Sequence, residues 1–436
     1  MPNTKNNTDE IDIEKKCENW SEPLCGSTTK FEGDSPTGEL WSGDCKPPTT
    51  NNIGSEAACA VWDDFNLKPS LLRGIYSYGF ELPSNIQKFA IPHLIKGKDV
   101  IGQAQSGSGK TGTFVIGTLQ QINIEEKTTQ AIIIAPTHEL VKQIAMVCKS
   151  IGGMMDGLVV KTIIGGTVIM DDVNDLKNNP PHVVVGCTGR IYDMIKRNYI
   201  KMNNIKILVL DEADEMLSQG FKDQIYNIFQ QCNNDMQVAL FSATMPDEML
   251  LLTEKFMRNP INIRMTPEEL NLECIQQYYV ALENDGNKFS MIKDLYSILN
   301  VSQSIIYVNS VKRVVDLYSA MNEEGYPVCC IHSSMSKTER ENALLGFRNG
   351  THRILISSNI TARGIDVQQV QTVINFDIPR CVHTYLHRIG RSGRFGRKGI
   401  AVNFITRGDV FHMKNIEKYY GSIITELPSN FSGQCV

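Results

Sequence analysis

Two short stretches carry residue types that can hold and cleave a phosphoanhydride. Ala104-Gln105-Ser106-Gly107-Ser108-Gly109-Lys110-Thr111 follows a short apolar run. Its glycines let backbone N–H groups approach phosphate oxygens, Lys110 reaches the β and γ phosphates, and the Thr111 hydroxyl is a magnesium ligand by type. Further along, Ile207-Leu208-Val209-Leu210-Asp211-Glu212-Ala213-Asp214 delivers acids onto the carboxyl end of an apolar strand. Asp211 is suited to hold the magnesium ion, mostly through water, and Glu212 to orient or deprotonate the attacking water. Each stretch has a plainer reading. Ala104 stands where such a loop normally begins with glycine, and a lone Asp-Glu after a strand is often only a solvated strand end. Both together, in this order and each at the end of an apolar strand, predict a site that binds ATP with Mg2+ and hydrolyses it.

The elements that must position these residues alternate short apolar runs with longer amphipathic stretches from about Ala60 onward. Ala131 to Ala135, His182 to Cys187, Lys206 to Leu210 and Gln237 to Phe241 read as buried strands of a parallel sheet. Phe289, Ile292, Leu295, Tyr296 and Leu299 share one helical face. A second strand series follows at Ser304 to Val308, Arg353 to Ile356, Thr372 to Phe376 and Ile400 to Ile405. The polar, Pro-containing segment 265–273 between the two series reads as a linker. The expected architecture is therefore α/β, with an N-terminal tail over 1–57, a first domain over 58–264, the linker, and a second domain over 274–436. Parallel sheets bind ligands beyond the carboxyl ends of their strands. Thr137, Gly189-Arg190 and Ser242-Ala243-Thr244 fall there in the first half, and Asn309 and Ser358 in the second, so two such edges facing each other form a cleft.

Composition bounds the class. The chain has 436 residues and a net charge of −5, and no run approaches the ~18 apolar residues that span a bilayer. Residues 1–57 hold 5 Lys and no Arg against 11 Asp plus Glu, so the acidity belongs to the tail, whose polar composition predicts disorder. The near-neutral remainder restricts any nucleic-acid site to a local groove. The 12 cysteines include no Cys-x-x-Cys pair and read as reduced core residues without a zinc site. The N-terminus lacks a secretory pattern, which predicts a cytoplasmic or nuclear enzyme.

At these residues the chain resembles the DEAD-box RNA helicases, most closely their translation-initiation group, continuously from about Trp62 to Pro428. Gly79-Phe80-Glu81-Leu82-Pro83-Ser84-Asn85-Ile86-Gln87, Gly165-Gly166-Thr167, Ser242-Ala243-Thr244, Ala362-Arg363-Gly364-Ile365-Asp366 and His387-Arg388-Ile389-Gly390-Arg391-Ser392-Gly393-Arg394 match family motifs in order. The resemblance implies two tandem RecA-like domains. It implies that Gln87 reads the adenine edge and Trp62 stacks on the base, with phosphates cradled by Ser106, Gly107, Ser108, Gly109, Lys110 and Thr111. Thr111 and Asp211 would hold Mg2+, Asp366 the ribose, and Arg391 and Arg394 would act as arginine fingers. Ser242 and Thr244 would couple the nucleotide site to RNA. RNA would be gripped by its backbone through Thr137, Gly166, Gly189, Arg190, Asn309, Arg340, Ser358 and Gly364. For Gly166 and Gly189 the alternative is simply a tight turn. The implied partners are RNA, a translation-initiation scaffold and accessory factors, with the chain itself a monomer.

Departures from the family pattern cluster away from the ATP loop. His138 stands for an arginine and exchanges a permanent charge for one that titrates near neutrality. Cys187-Thr188 stands for Thr-Pro, Ser333-Ser334 for Gly-Asp, and Lys337 for a glutamine. Asn359 stands for an aspartate that would orient basic side chains across the cleft. These changes are expected to cost unwinding more than ATP binding. Two readings follow: an ATP-dependent RNA helicase, or an ATP-gated RNA clamp or scaffold-binding protein with weak unwinding. A DNA translocase or transporter ATPase fits neither the adenine motif nor the absence of membrane-length apolar runs.

Overall fold

The computed structural model describes residues 59–104, 107–218, 220–233, 235–245, 247–264, 275–298, 303–359, 370–392 and 398–428. The expected tail and linker lie outside these residues, as do the site candidates Ser106, Gly364, Asp366 and Arg394.

The first sheet comprises β1 (Val100–Gln103), β2 (Ala131–Ala135), β3 (Val160–Ile163), β4 (Val183–Cys187), β5 (Ile207–Asp211), β6 (Gln237–Ser242) and β7 (Ile261–Arg264), in the order β3-β4-β2-β5-β6-β1-β7. The second comprises β8 (Ile275–Ala281), β9 (Ser304–Tyr307), β10 (Val328–Ile331), β11 (Ile354–Ser357), β12 (Thr372–Asn375), β13 (Gly399–Ile405) and β14 (Thr425–Glu426), in the order β10-β11-β9-β12-β13-β8-β14. The permutation is the same in both, and every pairing is parallel. Each strand expected from the sequence is present to within one residue at either end, and the expected helix runs Asn287–Ile298.

Both faces of each sheet are covered, because side chains alternate along a strand. In the first domain Ile133, Val209 and Phe241 enter one core, while Ile132, Ile134, Leu208, Leu210 and Leu240 enter another. In the second, Ile306, Ile354, Ile356 and Phe376 face one way and Ile305, Tyr307, Leu355 and Val373 the other. This order sets β5, β6 and β1 side by side, so the loop after β1, the acids after β5 and the turn after β6 emerge together at one sheet edge. None of the described helices is long and apolar enough to cross a membrane.

Candidate active site

The phosphate loop is clamped from two sides. The Ala104 N–H donates to the Ser242 carbonyl at 3.1 Å, tying the start of the loop to the end of β6. On the other side, Ser84 and Gln87 close a capping box on the helix Asn85–Ile95: the Gln87 Oε1 accepts from the Ser84 N–H at 2.7 Å. The same Gln87 side chain donates from Nε2 to the Gly109 carbonyl at 3.4 Å. Gly109 has φ +102°, and a Cβ there would lie 2.6 Å from the Ser84 hydroxyl, so both conformation and space require glycine. The helix Lys110–Gln121 begins at the next residue, aiming its unpaired N–H groups at the site. Lys110 is 5% exposed, and its Nζ lies 3.4 Å from Glu212 Oε1.

Glu212 sits in the left-handed region at φ +51°. The other described non-glycine residues there, Asn66, Asn198 and Asn259, are all asparagines, which tolerate it. A glutamate held in that region marks backbone strain at a working site. Asp211 is buried, and its carboxylate accepts from the Glu212 N–H at 3.0 Å. Burial, followed by the neighbouring Glu212 charge, pushes the Asp211 carboxyl up to about 7. A divalent cation would relieve both effects, so this donor set fits Mg2+.

From there the site crosses to the second domain. The Thr244 hydroxyl donates to Asp214 Oδ2 at 2.5 Å, and the same oxygen lies 3.2 Å from His387 Nε2. The Thr244 N–H also donates to the Ser242 hydroxyl at 3.3 Å. The two candidate coupling residues thus link the end of β6 to the acids after β5. His387 and Arg391 lie one helical turn apart, and the Arg391 Nε donates to the His387 carbonyl at 3.2 Å. In the sequence His387 is legible only as part of a motif; its contact partner, 173 positions away, leaves no trace in sequence spacing.

The candidate RNA residues divide. Gly189 lies in the first turn of the helix Thr188–Lys196, where a Cβ would meet the Gln224 side-chain oxygen at 3.5 Å. Gly166, at φ +75°, is required by its turn whatever else it touches. Thr137 caps the helix His138–Ile151, its oxygen accepting from the Leu140 N–H at 3.3 Å. Ser358 is buried at the end of β11. Arg190 turns inward: it pairs with Asp172 at 2.6 Å and donates to the Thr167 carbonyl at 3.0 Å, fastening the Gly166 turn. Asn309 is also engaged internally, donating to the Ile378 carbonyl at 3.0 Å and accepting from Arg388 at 2.7 Å. Arg340 reaches across the domains to Glu139 at 3.3 Å.

Two expectations are corrected, for Trp62 and Asn359, and a third, for His138, is shifted. Trp62 is fully buried beneath Phe80, the two rings stacked with centres 6.1 Å apart, so it offers no face to a base and packs in the first core. His138 lies below the ordinary imidazole value: burial, opposed by Glu139 and assisted by Lys337, Arg340 and Lys142, lowers its pKa from 6.5. Asn359 does not reach across the cleft but faces Arg388 of its own domain, at 2.9 Å. Thr188, in place of proline, opens its helix and donates its hydroxyl to the Met216 sulfur at 3.2 Å.

A duplicated parallel sheet, a glycine-rich phosphate loop opening a helix, and strand-end acids met by a histidine of the second domain define a two-domain nucleotide-driven motor. The DEAD/DEAH box helicase family matches residues 84–252, and the helicase conserved C-terminal domain matches residues 287–396. Eukaryotic initiation factor 4A of Caenorhabditis elegans is 50% identical over 371 residues, spanning 85% of this chain and 92% of that protein. Among solved structures, S. cerevisiae Dbp5 bound to RNA and ADP BeF3 is similar with a TM-score of 0.78 and 35% identity, over 84% of this chain and 95% of that one. Mss116p bound to ssRNA and AMP-PNP is similar with a TM-score of 0.76 and 25% identity, over 86% and 81%. The chain belongs to the DEAD-box RNA helicases and carries their tandem RecA-like architecture.

Proposed function

We propose that this ATP-dependent RNA helicase works in translation initiation, closing its two domains on ATP and RNA so that hydrolysis drives local unwinding or remodelling. The observation that carries the reading is a pair of buried contacts at one sheet edge: Lys110–Glu212 joins the phosphate loop to the strand-end acids, and Thr244–Asp214–His387 joins those acids to the second domain. Lys110 neutralises the transferring phosphoryl group and Glu212 orients water, while Arg391 and Arg394 enter from the second domain. Thr111 and Asp211 would hold Mg2+, whose chemistry is to neutralise charge on the phosphate oxygens. Asp366 is assigned to the ribose. RNA is gripped by its backbone through the helix N-terminus at Gly189, the Gly166 turn held by Arg190, Thr137, Ser358, Gly364 and Arg340, with Asn309 supporting from within. The 50% identity to an initiation factor supports a cytoplasmic monomer that works with an initiation scaffold.

Lys110→Ala should abolish ATP turnover, and Glu212→Gln should spare ATP binding while trapping a closed RNA complex. Parental turnover in the first variant overturns the site. Comparing RNA-stimulated turnover with duplex unwinding in the parent separates a helicase from an ATP-gated clamp: turnover without strand separation selects the clamp.

A further inference from the structure

Arg388 lies between His387 and Arg391, and it is fully buried. A guanidinium has five N–H donors in a fixed fork. All five are matched here. Nε and Nη2 both donate to Asn359 Oδ1, the first at 2.9 Å; Nη2 donates to Asn309 Oδ1 at 2.7 Å; Nη1 donates to Asn375 Oδ1 at 3.1 Å and to the Asp377 carbonyl at 2.7 Å. Every acceptor is a neutral oxygen, and the guanidinium lies 5.2 Å from the centre of the Tyr307 ring.

The neighbouring carboxylates are taken. Asp377 receives Arg313 at 2.7 Å and Lys288 at 3.1 Å, and Asp285 receives the same two cations at 2.6 and 2.7 Å. Those four side chains balance one another, so among the described residues Arg388 is a surplus buried cation. Burial accordingly lowers its pKa to about 10. Its position in the last turn of the helix Val382–Ile389, where carbonyl groups gather negative partial charge, gives some compensation.

We propose that Arg388 is a positioning residue for ATP turnover, and that Asn309, Asn359 and Asn375 form a neutral socket that seats it. The socket takes one residue from beyond β9, one from beyond β11 and one from the end of β12. It thereby pegs the helix Val382–Ile389 to the carboxyl edge of the second sheet and fixes where that helix presents His387 and Arg391 to the first domain. Asn359 is the weak wall: one oxygen takes two N–H groups and supplies no charge. A carboxylate there would take them on separate oxygens and compensate the cation. The proposal rests on the reading of Arg391 as an arginine finger.

The test uses the full chain and three variants, with ATP turnover at saturating single-stranded RNA, ATP affinity without RNA, and thermal melting. Lysine has three N–H donors on a point charge and cannot fill the socket. Arg388→Lys should lower kcat on the order of 10- to 100-fold, as expected of a misplaced finger, with KM and RNA-free ATP affinity close to parental. A purely structural role would move all three together, and that result overturns the proposal. Asn359→Asp should raise Tm by about 2–4 °C; a lower Tm overturns the socket, and this variant decides the matter should Arg388→Lys not fold. Arg391→Ala separates the two readings. Turnover lost there but kept in Arg388→Lys overturns the positioning role, whereas turnover kept in Arg391→Ala overturns the finger reading itself.

Discussion

Gln87 joins two structures with one amide: it closes the capping box with Ser84 and holds the Gly109 carbonyl. Removing a cap costs about 1 kcal/mol, and Ser84→Ala loses only that. Gln87→Ala loses the tether as well, so its KM for ATP should rise more than that of Ser84→Ala at comparable melting temperature; equal KM values reduce Gln87 to a cap. Thr244→Val keeps the shape of the side chain and removes the donor to Asp214 Oδ2. Leaving a buried acceptor short of a partner costs about 1–3 kcal/mol. That loss should fall on RNA stimulation of turnover rather than on ATP affinity, and equal stimulation in parent and variant would remove Thr244 from the coupling path. At this scale the sequence showed residue types well. Ser84-Asn85-Ile86-Gln87 also carries a capping box readable from spacing alone. Arg388 was not legible, because its socket comes from three separated segments.

Among the elements, what was legible follows burial. The central strands β2, β4, β5, β6, β9, β11, β12 and β13 are nearly continuous apolar runs, as strands covered on both faces must be. The strands not legible as such are β3, β7, β10 and β14 at the four sheet edges, together with half-buried β8; β3, β7, β8 and β14 have mixed composition with no strong period, and β10 is a short apolar run of only four residues. The helix N-termini that meet across the domains, His138–Ile151 and Lys337–Arg348, bring Glu139 and Lys142 opposite Lys337, Arg340 and Glu341. His138 lies within this group, and its pKa is lowered from 6.5. A histidine that prefers to be neutral when folded adds stability above its unfolded pKa and loses it as pH falls through the folded one. Thermal stability should therefore be insensitive to His138 above pH 6.5 and should fall below it, while His138→Gln flattens that acid limb. An unchanged acid limb in the variant assigns the fall to other groups.

For the whole molecule, two copies of one sheet topology meet along an edge, so turnover depends on how firmly they close. The contacts between them differ in kind. Asp214 and His387 are buried at 4% and 1% exposure, whereas Lys142 and Glu341 are 43% and 45% exposed. Exposed pairs contribute roughly 0.2–1 kcal/mol and are screened by salt. The outer pair therefore trims closure and does not create it. Lys142→Glu places two acids opposite each other, and RNA-stimulated turnover should fall at low salt by no more than about fivefold, the factor that ~1 kcal/mol allows. Adding Glu341→Lys restores opposite charges with the signs exchanged. The double variant should recover most of the loss, and the difference between single and double should shrink as salt rises toward ~1 M, where the screening length falls to about 3 Å. A single-variant defect that persists at high salt, or that the second change does not repair, would show that Lys142 acts on its own helix and not on the closure of the two domains.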